Sequence, residues 1–177
     1  WSWEFLTDKK WLSLDKNRLK VSVFIGNKDT PIDEKAYDIW SEIFIKNNLP
    51  IERIAKLPKK DNWWGPAGET GPCGPDTEMF YDGVEIWNDV FMEYNKKVKD
   101  KKQSEYKLLI KKKEKIPDDF FEYAKLTQQN VDTGMGLERI LAVVNGTDDN
   151  YRTDLFWPLI LKIEELSGKK YDESIEV

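Results

Sequence analysis

Residues 131–140 read Val-Asp-Thr-Gly-Met-Gly-Leu-Glu-Arg-Ile and set both signs of charge around a pair of glycines. Asp132 stands before the glycines and offers a carboxylate to a cation. Arg139 follows them, in the first turn of a helix predicted by the spacing of Leu137, Ile140, Leu141 and Val144. Gly134 and Gly136 permit either a positive φ or the close approach of another group to the backbone. A strand end, a glycine turn and a helix N-terminus in that order leave free N–H groups and a helix dipole that favour an anion. The stretch can therefore hold the ammonium and the phosphate of one substrate. A plain turn between a strand and a helix is the alternative reading.

Composition narrows the chemistry. The 177 residues contain no histidine, which removes imidazole acid–base catalysis, Ser-His-Asp triads and nearly every zinc site. Acyl and phosphoryl transfers driven by positioning, arginine and Mg²⁺ remain open. A single cysteine excludes an internal disulfide and points to a reducing, cytoplasmic setting. Cys73 and Asp76 have metal-ligand spacing, but no second pair completes a site, so no zinc is expected. No apolar run approaches the ~20 residues of a membrane span. The net charge of −5 argues against coating nucleic acid by bulk electrostatics. The run from Lys96 to Lys115 is nonetheless lysine-dense, either as a solvated sheet edge or as a contact to a nucleic-acid backbone.

Other elements must position these groups. Residues 1–7 read as the tail of an amphipathic helix and residues 19–25 as an alternating strand. Thr30-Pro31 is expected to open a helix running to about Asn47, with Trp40 facing a core or lining a pocket. Residues 51–57 are ambiguous between helix and strand. The density of glycine and proline from Asp61 to Asp76 predicts an irregular loop, and its two tryptophans mark it as packed or functional. Residues 77–82 and 85–95 read as strands of a hairpin turned by Asp82-Gly83. Simple alternation groups Ile86, Asn88, Val90, Met92 and Tyr94 on one face, and Glu85, Trp87, Asp89, Phe91 and Glu93 on the other. Asn88 on an apolar face needs partners, from a structural network or from a ligand. A strand is expected at 106–110, a short helix at 120–125 and a helix at 154–166 ending at Gly168. The pattern as a whole is α+β with an antiparallel sheet flanked by helices.

Two blocks carry a resemblance. Residues 63–82 (WWGPAGETGPCGPDTEMFYD) and 131–140 (VDTGMGLERI) resemble the alanine–tRNA ligases, and residues 85–92 and 150–156 resemble the segments around them. The resemblance implies a class II aminoacyl-tRNA synthetase fold and a two-step reaction. Alanine is activated by ATP to alanyl-adenylate, and the alanyl group then passes to tRNA(Ala). Carried over by position, Arg139 holds the γ-phosphate of bent ATP with Gly134 and Gly136 beside it. Asp132 and the backbone at Gly134 hold the alanine ammonium. Trp40, Asn88 and Val90 line the amino-acid pocket, and Glu85 is the candidate Mg²⁺ ligand. By alternation Glu85 falls on the face opposite Asn88, so that role requires a bulge.

The resemblance also sets expectations about extent. Residues 1–177 would be one partial catalytic domain, incomplete on its N-terminal side. The family's first two signature motifs would lie upstream, and the tRNA-recognition and editing domains downstream. The arginine that holds the α-phosphate belongs to those motifs, so this stretch alone is expected not to catalyse ATP–pyrophosphate exchange. An open sheet edge is expected where the missing strands would pair. The family often carries cysteine where Asp76 stands, and the segment from Lys96 to Gln129 is longer and more basic than expected. A synthetase-like relative that binds ATP, amino acid or tRNA without charging is the alternative reading.

Overall fold

The computed structural model describes residues 1–172. Its sheet has six strands: β1 (Leu19–Phe24), β2 (Ile54–Leu57), β3 (Trp63–Trp64), β4 (Gly71–Tyr81), β5 (Val84–Val98) and β6 (Phe121–Met135). Their order is β2-β1-β4-β5-β6, with β3 paired to β4. The helices are α1 (Ser2–Thr7), α2 (Glu34–Lys46), α3 (Gln103–Lys112), α4 (Leu137–Asn145) and α5 (Trp157–Ser167). The α+β class stands, with one refinement. β1 and β2 are parallel, while all other pairs are antiparallel. Parallel neighbours need a crossover, and α2 supplies it.

The core lies between that crossover helix and one face of the sheet. Ala36, Trp40 and Phe44 of α2 pack with Leu6 of α1, Val21 and Val23 of β1, Met79 of β4 and Ile86 of β5. α2 begins later than Thr30-Pro31 predicts. The Asn27 carboxamide oxygen accepts from both the N–H and the hydroxyl of Thr30, so Thr30 closes a turn instead. Asp33 is the cap, accepting from the Ala36 N–H at 2.9 Å.

The glycine- and proline-rich stretch is only partly irregular. Residues 71–76 extend β4, and a register shift between Cys73 and Asp76 accommodates the prolines, which cannot donate to the ladder. Gly74 makes this packing feasible, because a Cβ there would lie 1.8 Å from the Phe91 carbonyl oxygen. The hairpin turn is as expected, with φ 50° at Asp82 and 86° at Gly83, the left-handed pair of a type I′ turn.

Two local expectations fail beyond the hairpin. Residues 106–110 lie in α3, not in a strand, because Tyr106 and Leu109 at helical spacing cover Val98, Phe120 and Phe121. After one turn of 3₁₀ helix at Asp118–Phe120, residues 121–125 enter β6 and pair with β5. Local propensity had no view of that partner. β6 is an edge of the sheet, and its residues 127–135 are exposed.

Candidate active site

The strand register decides which side chains meet. Across β4, β5 and β6, Asp76 stands opposite Val90 and Val90 opposite Asp132. One pleat along, Glu78 stands opposite Asn88 and Asn88 opposite Gly134. Directly opposed residues share a face, so these six positions form one surface. The register then shifts: Met79 pairs with Trp87 but Phe80 pairs with Glu85, leaving Ile86 as the extra residue. Ile86 turns into the core, and Glu85 arrives on the same face as Asn88. The bulge that the Glu85 assignment required is therefore present, and simple alternation from Glu85 to Ile86 is corrected.

An open cavity of about 540 Å³ lies at this end of the face, lined among others by Glu85, Asn88, Gly134, Gly136 and Arg139. Arg139 Nη1 donates to the Glu85 carboxylate at 2.9 Å and to the Glu85 carbonyl at 3.0 Å. α4 starts immediately at this wall, with Gly136 as its N-cap and no side-chain cap. Its first N–H groups have no partner within the helix, as at any helix start. Neither Gly134 nor Gly136 has a positive φ. Close approach is the surviving reason for glycine: a Cβ on Gly134 would meet nothing within 4 Å and would project into open space.

The remaining expected residues are placed as follows. Val90 is buried and Asp132 exposed, on the same face as Asn88. Trp40 does not join them. Its indole Nε1 donates to Thr77 Oγ1 at 2.8 Å, and Thr77 alternates with Asp76 and Glu78 onto the core face. The sheet stands between Trp40 and the pair Asn88 and Val90, so the shared pocket implied by the resemblance is corrected on this point.

Two residues were missed as site groups: Glu78, and Asp76 outside its metal-spacing role. Asp76 accepts from Asn62 Nδ2 at 3.0 Å and from Asn88 Nδ2 at 3.4 Å. Burial pushes its carboxyl up to about 6, against the opposing effect of those two amides. Burial, then the charge of Glu85, pushes Glu78 up to about 7. The signal was available in Asp76-Thr77-Glu78-Met79, an alternation of carboxylates with groups that face a core. It was obscured by reading the segment up to Asp76 as a loop.

The amino-acid sequence that builds this sheet face matches a known family over its whole extent. The profile described as tRNA synthetases class II (A) covers residues 1–177. The chain belongs to that family. Among its relatives, the alanine–tRNA ligase of Treponema denticola is 40% identical over 192 aligned positions, covering 98% of this chain. That of Treponema pallidum is 40% identical over 188 positions, covering 96%, and that of Lactobacillus acidophilus 38% over 200, covering 99%. This class II synthetase chain spans only 28%, 27% and 19% of the length of those three relatives. Among its described residues, no group of three or more Cys, Asp or Glu side chains is placed to hold a metal ion, and no helix is long and apolar enough to cross a membrane.

Proposed function

We propose that this chain is the amino-acid- and ATP-binding part of an alanine–tRNA ligase catalytic domain. The observation that carries the reading is that Asn88, Gly134 and Glu85 of the sheet and Arg139 of α4 line one cavity, with Asp132 on the same sheet face as Asn88. On this reading Asp132 and Asn88 hold the alanine ammonium, and Val90 with the Gly134 backbone leaves room for a methyl group. Such a pocket rejects bulk but discriminates poorly against serine, since an added hydroxyl changes binding by only a few kcal/mol. The Arg139 guanidinium leaves Glu85 to pair with the γ-phosphate of bent ATP, next to the start of α4. The alanine carboxylate attacks the α-phosphorus and pyrophosphate departs, giving alanyl-adenylate. The terminal ribose hydroxyl of tRNA(Ala) then attacks the alanyl carbonyl, and AMP departs.

Glu85 offers a hard oxygen donor on the cavity wall, which suits Mg²⁺. Bound there, the ion would neutralise phosphate charge. The run from Lys96 to Lys115 supplies a tRNA contact: α3 buries no residue fully, and the lysines along it are exposed for a phosphate backbone.

Calorimetric titration of the chain with MgATP and with a sulfamoyl analogue of alanyl-adenylate tests the reading. Saturable binding of both is expected. Asp132→Ala should weaken the analogue by about tenfold or more and spare MgATP, and Arg139→Ala should do the reverse. Absence of binding by either ligand would sink the proposal.

A further inference from the structure

Beneath the cavity runs a chain of buried polar groups that no proposed substrate contact uses. Ser22, Asn62 and Asp76 are all buried. Asn62 Nδ2 donates to Ser22 Oγ at 2.9 Å and to Asp76 Oδ1 at 3.0 Å. The other carboxylate oxygen, Asp76 Oδ2, accepts from Asn88 Nδ2 at 3.4 Å. Asn88 is thus the outer end of a network rooted in β1. Glu78, opposite Asn88 in the register, brings a second carboxyl to the same amide.

At pH 8 both carboxyls are ionised and only accept hydrogen bonds, so an amide facing two of them must turn its NH₂ group toward them. Rotating the amide by half a turn would set its Oδ1 against carboxylate oxygens in a part-buried place, where such repulsion is poorly screened. The Asn88 carbonyl oxygen is left for the cavity that Asn88 lines. A free asparagine could bind either end of a zwitterion, accepting from an ammonium or donating to a carboxylate. A locked one cannot.

We propose that Asp76 is a positioning residue that locks the Asn88 amide with its carbonyl oxygen toward the cavity, so that the site takes the ammonium end of its substrate there and turns a carboxylate away. The substrate preference rests on the proposed amino-acid role of Asn88; the lock itself does not.

Asp76→Asn is the isosteric test. Its amide oxygen still accepts from Asn62, while its NH₂ can turn to Asn88 and release that amide. In the ¹⁵N-labelled chain at pH 8, the Asn88 side-chain NH₂ pair is assigned by its loss in Asn88→Ala. Wild-type protein should show nuclear Overhauser contacts from that pair to the Asp76 and Glu78 side chains, a readout that needs no variant to fold. In Asp76→Asn the pair should shift. Two small probes separate the ends of the substrate: alaninol carries the ammonium without the carboxylate, and propionate the carboxylate without the ammonium. Asp76→Asn should weaken alaninol by about tenfold or more and leave propionate within about twofold or tighter. Missing Overhauser contacts in the wild type, or an unmoved NH₂ pair in a folded Asp76→Asn, overturn the lock. Equal loss of both probes overturns the preference. Intact contacts in a wild-type chain that binds neither probe uphold the lock and count against the amino-acid-site reading instead.

Discussion

At the scale of single residues, the site is an assembly of charges whose states depend on burial. Glu78 is the sharpest case. In the folded chain its carboxyl is pushed up to about 7, first by burial and then by Glu85. The folded state therefore keeps a proton that the unfolded chain gives up near the ordinary carboxylate range. The stability this proton represents is fully present below about pH 4.5 and is lost as pH rises through about 7. Glu78→Gln removes the buried charge while keeping the shape. It should stabilise the fold at pH 8 by on the order of 1 kcal/mol once solvent screening of a part-exposed group is allowed for, seen as a higher melting temperature, and change little at pH 4. Melting curves of the two proteins across pH 4–8 check this; a gain that grows toward low pH would contradict it. Asp132, Arg139 and both glycines could be named from the sequence because they are adjacent in it. For Glu78 the sequence offered only its alternation with Asp76, because the neighbours that give it a role, Asn88 and Glu85, come from another strand.

Among the elements, β4 shows how a sequence can read as a loop and fold as a strand. Its prolines have extended backbone, and the bulge between Cys73 and Asp76 absorbs their missing donors. At Gly74 any side chain would run into the backbone of β5. Gly74→Ala would place a methyl 1.8 Å from the Phe91 carbonyl oxygen, a backbone atom that cannot swing aside. We expect a loss of about 3 kcal/mol, read by urea unfolding, accompanied by weaker ligand binding because Asp76 follows two residues later. A second bulge, at Ile86, has the opposite kind of consequence. It leaves the hairpin paired and changes only which face Glu85 occupies, which is how the arginine of α4 finds a carboxylate. Helix α3 differs again. Its Tyr106 and Leu109 fit a helix as well as a strand over so short a run, and the apolar ledge of Val98, Phe120 and Phe121 settles the matter.

For the whole molecule, charge and exposure divide the surface by task. Asp76, Glu78, Glu85 and Asp132 share the sheet face, and ten lysines lie between Lys96 and Lys115, on α3 and its flanks at the far end of the β5–β6 hairpin. A net charge of −5 makes nonspecific binding of nucleic acid weak, so any tRNA contact must come from the local array. Lys107→Glu with Lys111→Glu, one helical turn apart on α3, should weaken tRNA binding across all sequences and reduce the salt slope by about 2. Filter binding from low to moderate salt checks this, and an unchanged slope would remove α3 from the interface. The outer edge of β6 is exposed along residues 127–135, including Val131 at 65% exposure. An edge of that kind, with its ladder groups unpaired, is where further strands would add.

What the sequence determined by itself was whatever depends on neighbours along the chain. The Asp82-Gly83 turn, the passage from β6 through Gly136 into α4, the cap at Gly168 and the shared face of Asn88 and Val90 all follow from local stereochemistry. The family resemblance likewise needed only ungapped blocks of residues. Tertiary structure decided everything that depends on partners across the sheet. It placed Trp40 beneath the sheet, because an indole N–H in a core takes the nearest acceptor and that was Thr77. It joined Glu85 to Arg139 and brought Asp76 and Glu78 to Asn88, because register, shifted by an extra residue at Ile86, assigns each side chain to a face. A bulge costs a single residue in the sequence and has no signature there until the opposing strand is known.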